Sequence, residues 1–212
     1  MKKMTYKTVF EYAREEMIER KSRFIASAKP VTTEQEAIDF VNEIRSEFRT
    51  ATHNVYAYKV SENNISRYSD DGEPSGTAGV PVLEVINKED LTDVAVVVTR
   101  FFGGTLLGAG GLVRAYGKSA KLGIDKARIT EKIYCHCLKI TMPYDIFGKI
   151  KYIVENGDYI SGEVLYTEEV NYTVFVKFNL LDKFLKEVED ATNASIVPEI
   201  IGEMYVDKIL EL

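Results

Sequence analysis

The chain has no aliphatic run longer than Val94–Val98, far short of the ~20 apolar residues that a membrane-spanning helix needs. Its opening, MKKMTYKTVFEYAREE, carries no apolar signal core, so a cytoplasmic protein that meets no membrane is expected. Cysteine is scarce. Cys135 and Cys137 lie one residue apart and cannot staple distant segments, which fits a reducing compartment. With only two histidines, the run Cys135-His136-Cys137 has no second ligand pair. On a strand His136 also points away from both thiols, so zinc is not expected. No proline- or glycine-rich linker, internal repeat or low-complexity tract interrupts the 212 residues. That length can bury a core as one large domain or two small ones. The net charge of −6 argues against bulk affinity for nucleic acid.

That charge is unevenly placed. Up to Cys135 there are 20 Lys+Arg against 19 Asp+Glu, and after it 7 against 14, which together make the 27 and 33 of the whole chain. A cationic face in the first part is therefore not drowned by its own domain.

Periodicity places the elements. Lys21 to Lys29 has strand character. Thr32 or Thr33 can cap a helix, with Gln35 or Glu36 completing a capping box, and Ala37, Ile38, Val41, Ile44 and Phe48 form its apolar stripe. His53 to Val60 alternates as a half-buried strand, Pro81 suits the first turn of a short helix, and Val94 to Thr99 reads as a buried strand. Leu112 to Ala127 reads as a helix starting near Gly110, with Leu112, Tyr116, Ala120, Gly123 and Ala127 on one face. Further on come a strand (Ile133 to Thr141), a helix (Ile146 to Val154) and a hairpin over Val164 to Leu180, with even positions apolar and its turn near Glu168-Glu169. A helix capped by Asp182 and a strand from Ile196 to Val206 complete the order βαββαβ, the ferredoxin-like plan. Two domains are expected, residues 1–131 and 132–212.

The most punctuated stretch is RFFGGTLLGAGGLVRAYGKSA, Arg100 to Ala120. Gly117-Lys118-Ser119 is not a P-loop, because the first glycine of that motif falls at Leu112 and the tripeptide lies inside a helix. Gly108-Ala109-Gly110 is not a dinucleotide loop, because the third glycine falls at Val113. What remains is a strand, a glycine loop and a helix whose free amides and positive dipole end face the loop. Candidate anion contacts are Arg100, Gly103, Gly104, Gly108, Gly110 and Gly111, together with Arg114, Lys118 and Lys121 on one helix face. Phe101 and Phe102 are placed to stack on bases. Each dipole contact is worth about 0.3–1 kcal/mol, so several must converge. The competing reading gives the glycines to tight turns and close packing, with the cations merely solvated.

A second loop, RYSDDGEPSGTAGVP (Arg67 to Pro81), is acidic. Asp70, Asp71 and Glu73, with Arg67, Ser69, Ser75 and Thr77, suit either Mg²⁺ held with phosphate oxygens or plain Asx-turn chemistry. His53 suits a general base or a structural role. No serine or cysteine can be paired with it from sequence.

HNVYAY, YSDDGEPSGTA and the run TAGVPVLEVINKEDLTDVAVVVTRFFGGTLLGAGGLVRAYGKSA resemble the IMPACT/YigZ family (uncharacterised protein family 0029), over roughly Lys21 to Ala127. Phe101 stands where the family often has Trp. The resemblance implies an α+β chain with an IMPACT-type N-terminal domain, a ribosomal-protein-S5-domain-2-like α/β sandwich. It also implies that the ferredoxin-like C-terminal domain resembles elongation factor G domain V. It associates the chain with translation regulation, carries over no catalytic residue and calls for no cofactor. The expected function is a non-catalytic binding protein contacting RNA or the ribosome. Two alternatives stand beside it: a Mg²⁺-dependent phosphoester or nucleotide enzyme at the acidic loop, and an interaction regulator of a translation-related protein.

Overall fold

A computed structural model of the chain describes residues 3–210. They form two compact units, Tyr6–Glu131 with residues 208–210 and Lys132–Asp207 with residues 3–5. Both are mixed α and β. No helix among the described residues is long and apolar enough to cross a membrane.

The first unit runs β1 (Thr5–Val9), β2 (Ala13–Glu19), β3 (Ser22–Pro30), α1 (Glu34–Glu47), β4 (His53–Val60), β5 (Ile65–Ser69), α2 (Gly79–Lys88), β6 (Val94–Phe101) and α3 (Ala109–Lys126). Strands β2 to β6 make one antiparallel sheet in the order β2-β3-β6-β4-β5. Central β6 is buried on both faces, which is why its sequence is a continuous β-branched run rather than an alternation. Val96 and Val98 pack with Val82 and Ile86 of α2 and Tyr116 and Ala120 of α3. Ala95 and Val97 pack with Phe40 and Ile44 of α1 on the other side. The unit is thus a sandwich with the sheet in the middle.

Local signals set the helices. The amide of Glu36 donates to Thr33 Oγ1 (3.1 Å), and the Glu36 carboxylate accepts from the Thr32 amide (2.6 Å), a capping arrangement. The buried row of α1 is Ala37, Phe40, Val41 and Ile44. The expected Ile38 is exposed instead, because one residue turns the helix by about 100° off that row. α3 begins at Ala109 and buries Leu112, Tyr116, Ala120 and Gly123. Strands β1, β2 and β5 had no counterpart in the sequence reading.

The second unit adds β7 (Ile129–Met142), α4 (Tyr144–Asn156), β8 (Ile160–Tyr166), β9 (Val170–Lys177), α5 (Leu181–Thr192) and β10 (Glu199–Ile209). This is the βαββαβ order. β9 lies between β7 and β8, and β10 pairs with β7. Val170, Tyr172, Val174 and Val176 alternate inward from β9 onto Ile150, Val154, Phe184 and Val188 of the two helices. Asp182 does not cap α5: it lies in the first turn, and no side chain bonds at the cap.

Candidate functional site

Sheet register assembles the site. Arg100, near the end of β6, stands opposite Phe24 of β3 and His53 of β4. Its guanidinium is buried, with the residue only 5% exposed. Nη1 donates to Glu73 Oε1 at 2.5 Å and Nη2 to Ser22 Oγ at 3.3 Å. Cζ lies 5.5 Å from the ring centroids of both Phe24 and Phe102, within cation–π range. Nε has no partner.

Glu73 arrives from the acidic loop, so the two punctuated loops meet. Its Oε1 also accepts from the Tyr116 hydroxyl of α3 at 2.7 Å. Burial first, and then the Glu73 charge, push the Tyr116 phenol far above its ordinary value, so it remains a donor. His53 Nδ1 lies 2.8 Å from the Asp71 carbonyl and must carry the proton in that bond. Nε2 then faces Glu73 Oε1 at 3.8 Å.

The three loop carboxylates diverge. Asp70 accepts from the amides of Gly76, Ala78 and Gly79 (2.8, 3.1 and 2.8 Å) and so caps α2. Burial pushes its carboxyl up, but the three amides outweigh this and hold it below its ordinary value. Asp71 takes Arg45 Nη2 at 2.7 Å and the Asn54 amide at 2.6 Å. Among the described residues no group of three or more acidic, His or Cys side chains can hold a metal ion. Asp70, Asp71 and Glu73 thus do not converge on one point as the Mg²⁺ alternative pictured: Asp70 serves the α2 amides, Asp71 serves Arg45 and Asn54, and Glu73 serves Arg100 and Tyr116. The other loop residues are structural or outward-facing. Ser69 Oγ accepts from the Asp71 amide, Thr77 Oγ1 donates to the Pro74 carbonyl, Arg67 lies 3.7 Å from Glu34, and Ser75 is exposed.

The glycine loop leads from β6 into α3. A Cβ on Gly103 would sit 2.0 Å from the Lys21 carbonyl oxygen, so only glycine lets the β2–β3 turn approach there. Gly104 and Gly108 have φ of +80° and +74°, a region that suits glycine. The expected cation row splits. Arg114 and Lys118 have no ion pair or hydrogen bond among the described residues, and both line a pocket of about 220 Å³ with Arg20, Glu19 and Gly111. Lys121 is tied down by Asp125 (2.5 Å) and Glu89 (3.1 Å). Arg100 is likewise no surface hook, being buried against Glu73. Phe101, the last residue of β6, and Phe102, just past the strand, pack in different places. Phe101 packs on Phe48 and Arg23, while Phe102 stays half exposed at a second cleft.

That second cleft, about 400 Å³, has His53, Glu73 and Arg100 at its polar end, Phe102 and Leu112 among its apolar walls, and Gly108 and Ala109 at the start of α3. Tyr116, Ser22 and Arg20 are the residues that sequence reasoning missed. A tyrosine on an apolar helix face signals a buried partner for its hydroxyl, and that signal was available for Tyr116.

The Impact N-terminal domain matches residues 20–124, and a domain of unknown function (DUF1949) matches residues 140–195. The IMPACT family member YvyE of Bacillus subtilis (strain 168) is 41% identical over 207 residues, covering 96% of this chain and 94% of YvyE. The IMPACT family member YigZ of Escherichia coli (strain K12) is 33% identical over 150 residues, 66% of this chain and 74% of YigZ. A crystal structure of a hypothetical protein matches with a TM-score of 0.60 at 25% identity, covering 94% of this chain and 98% of that one. The chain belongs to the IMPACT family.

Proposed function

We propose that this protein is a non-catalytic binding protein that contacts RNA, free or in the ribosome, in the translation-regulating role that its family resemblance implies. The observation that carries this reading is a cationic ridge around the start of α3. Arg114 and Lys118 stand without partners among the described residues, and Arg20 joins them in one pocket. Lys21 follows Arg20 in the tight β2–β3 turn, where both residues have positive φ (44° and 67°). Beside them the amides of Ala109, Gly110 and Gly111 fall in the first turn of α3, where no intrahelical acceptor exists. Glu19 is the one acid in the pocket, so the local charge stays positive and suits phosphate oxygens.

Four phosphate contacts give a slope of log K against log salt of about −3 on single-stranded RNA. The test measures binding of a fluorescent single-stranded RNA over about 50–300 mM salt, with wild type and the Arg114→Glu, Lys118→Glu double variant. The expected result is a steep slope that flattens in the variant, with affinity down by at least about tenfold. Binding indifferent to salt, or unchanged in the variant, overturns the reading.

A further inference from the structure

The ridge supplies phosphate contacts but gives no role to the 400 Å³ cleft beside it, a volume typical of ligand pockets, which span about 300–1,000 Å³. Two groups at its polar end are unfinished. Glu73 engages both of its hydrogen bonds through Oε1, leaving Oε2 free among the described residues. His53 commits Nδ1 to the Asp71 carbonyl, leaving Nε2. The walls are apolar, with Phe102 46% exposed and Leu106 80% exposed at the mouth. The positive dipole end of α3 opens at the rim, where Gly108 and Ala109 line the cleft.

This arrangement sorts ligands by where their charge falls. A ligand that carries an anion inward meets the Glu73 carboxylate, and one that carries a cation inward meets Arg100. The polar end therefore takes a neutral group that donates hydrogen bonds, to Glu73 Oε2 and His53 Nε2. The walls take a flat apolar body, and the rim takes an anion. A neutral edge, a flat ring and an anionic tail together describe a nucleotide.

We propose that the cleft receives an unpaired base of the bound RNA. The base lies against Phe102, N–H groups on its edge donate to Glu73 Oε2 and His53 Nε2, and the 5′-phosphate sits at the start of α3. The proposal rests on the RNA reading above, and mononucleotides separate the two.

The test titrates the full chain with the four nucleoside 5′-monophosphates, ribose 5-phosphate and inorganic phosphate, reading the His53 ring signals by NMR. The chain has only two histidines, so His136 serves as the internal reference. At least one nucleotide is expected to shift His53 and to bind about tenfold or more tighter than ribose 5-phosphate. Phe102→Ala, at an exposed ring, is expected to remove most of that preference while leaving the salt slope of RNA binding intact. Glu73→Gln is expected to change which base is preferred, and Phe102→Ala keeps the proposal testable if that variant does not fold. Equal affinity for the nucleotides and inorganic phosphate overturns the proposal, because the site then reads only an anion. Salt-dependent RNA binding with no nucleotide effect at His53 overturns it while the RNA reading stands. Nucleotide binding at His53 by a chain that holds no RNA sinks the RNA reading, and with it the assignment of the base to RNA.

Discussion

Replacing Glu73 by leucine tests the ion pair on which the site is built. Both partners are buried, with 3% and 6% of their side chains exposed, so solvent screens them little. The substitution leaves the Arg100 guanidinium without a counter-charge, which costs about 3–5 kcal/mol, and the Tyr116 hydroxyl without its acceptor, which costs about 1–3 kcal/mol. These losses share a partner and do not simply add, so a destabilisation of about 4 kcal/mol is expected. Urea unfolding followed by far-UV circular dichroism suits a chain with no tryptophan. With a slope of about 2 kcal/mol per molar urea, the midpoint of the N-terminal unit falls by about 2 M. Glu73→Gln, which keeps an acceptor for Tyr116, falls less. The double variant Glu73→Leu, Arg100→Leu recovers most of the loss, because the uncompensated charge goes with its partner. A loss below about 1 kcal/mol in the single variant, or a double variant less stable than Glu73→Leu alone, refutes the reasoning.

Gly103→Ala drives a Cβ into the Lys21 carbonyl and is expected to cost about 3 kcal/mol. Gly117→Ala, inside α3 with open space around it, stabilises by about 0.5–1 kcal/mol; thermal unfolding of both reads the opposite signs. Asp70→Ala loses the cap of α2 at about 1–2 kcal/mol. The folded carboxyl lies below its ordinary value, so its charge-dependent stabilisation is present above the unfolded value near ~4 and is lost as pH falls through the folded one. The stability gap between wild type and Asp70→Asn, followed by urea titrations across that range, therefore narrows with acid, and a constant gap contradicts the assignment. Lys121→Ala leaves RNA affinity within about twofold, whereas Lys118→Ala loses a phosphate contact and lowers the salt slope by about 0.7; equal effects in the binding assay count against the ridge.

Elements made by local chemistry were legible in the sequence. The capping residues of α1, the β-branched run of β6, the apolar face of α3 and the alternation in β9 depend on neighbours a few positions away. Strand β2 was not legible: AREEMIE is mostly charged and is a strand because it pairs with β3 along an edge. The site followed the same division. That the stretch from Arg100 to Lys118 is special was readable from its glycines and cations. Which cations are available was not, because pairing depends on residues far away in sequence. Glu73 lies 27 positions from Arg100, and Lys121 owes one of its two partners to Glu89 of the turn after α2. Arg20 and Lys21 were invisible as site residues, since only the register of β2 with β3 brings them to the turn beside Gly103.

The distribution of backbone strain bears on what that turn is for. Among the described residues, the non-glycine positions of positive φ other than Asn and Asp are Arg20, Lys21, Arg128 and Ala194. Asn and Asp adopt that region at low cost, and long side chains do not. Two of these four are consecutive and form one tight turn. That turn is of a kind in which Asn-Gly or Asp-Gly is the relaxed choice. Folding alone therefore gives no reason for Arg-Lys there. A phosphate-binding ridge does, because Arg20 shares its pocket with Arg114 and Lys118. Replacing Arg20-Lys21 with Asn-Gly separates the two demands. The variant is expected to gain stability by about 1 kcal/mol in urea unfolding and to lose RNA affinity with a salt slope shallower by about 1.4, two single-strand phosphate contacts. A stability gain with RNA binding unchanged means that the turn has no part in the ridge. A stability loss means that the Arg-Lys pair serves the fold after all.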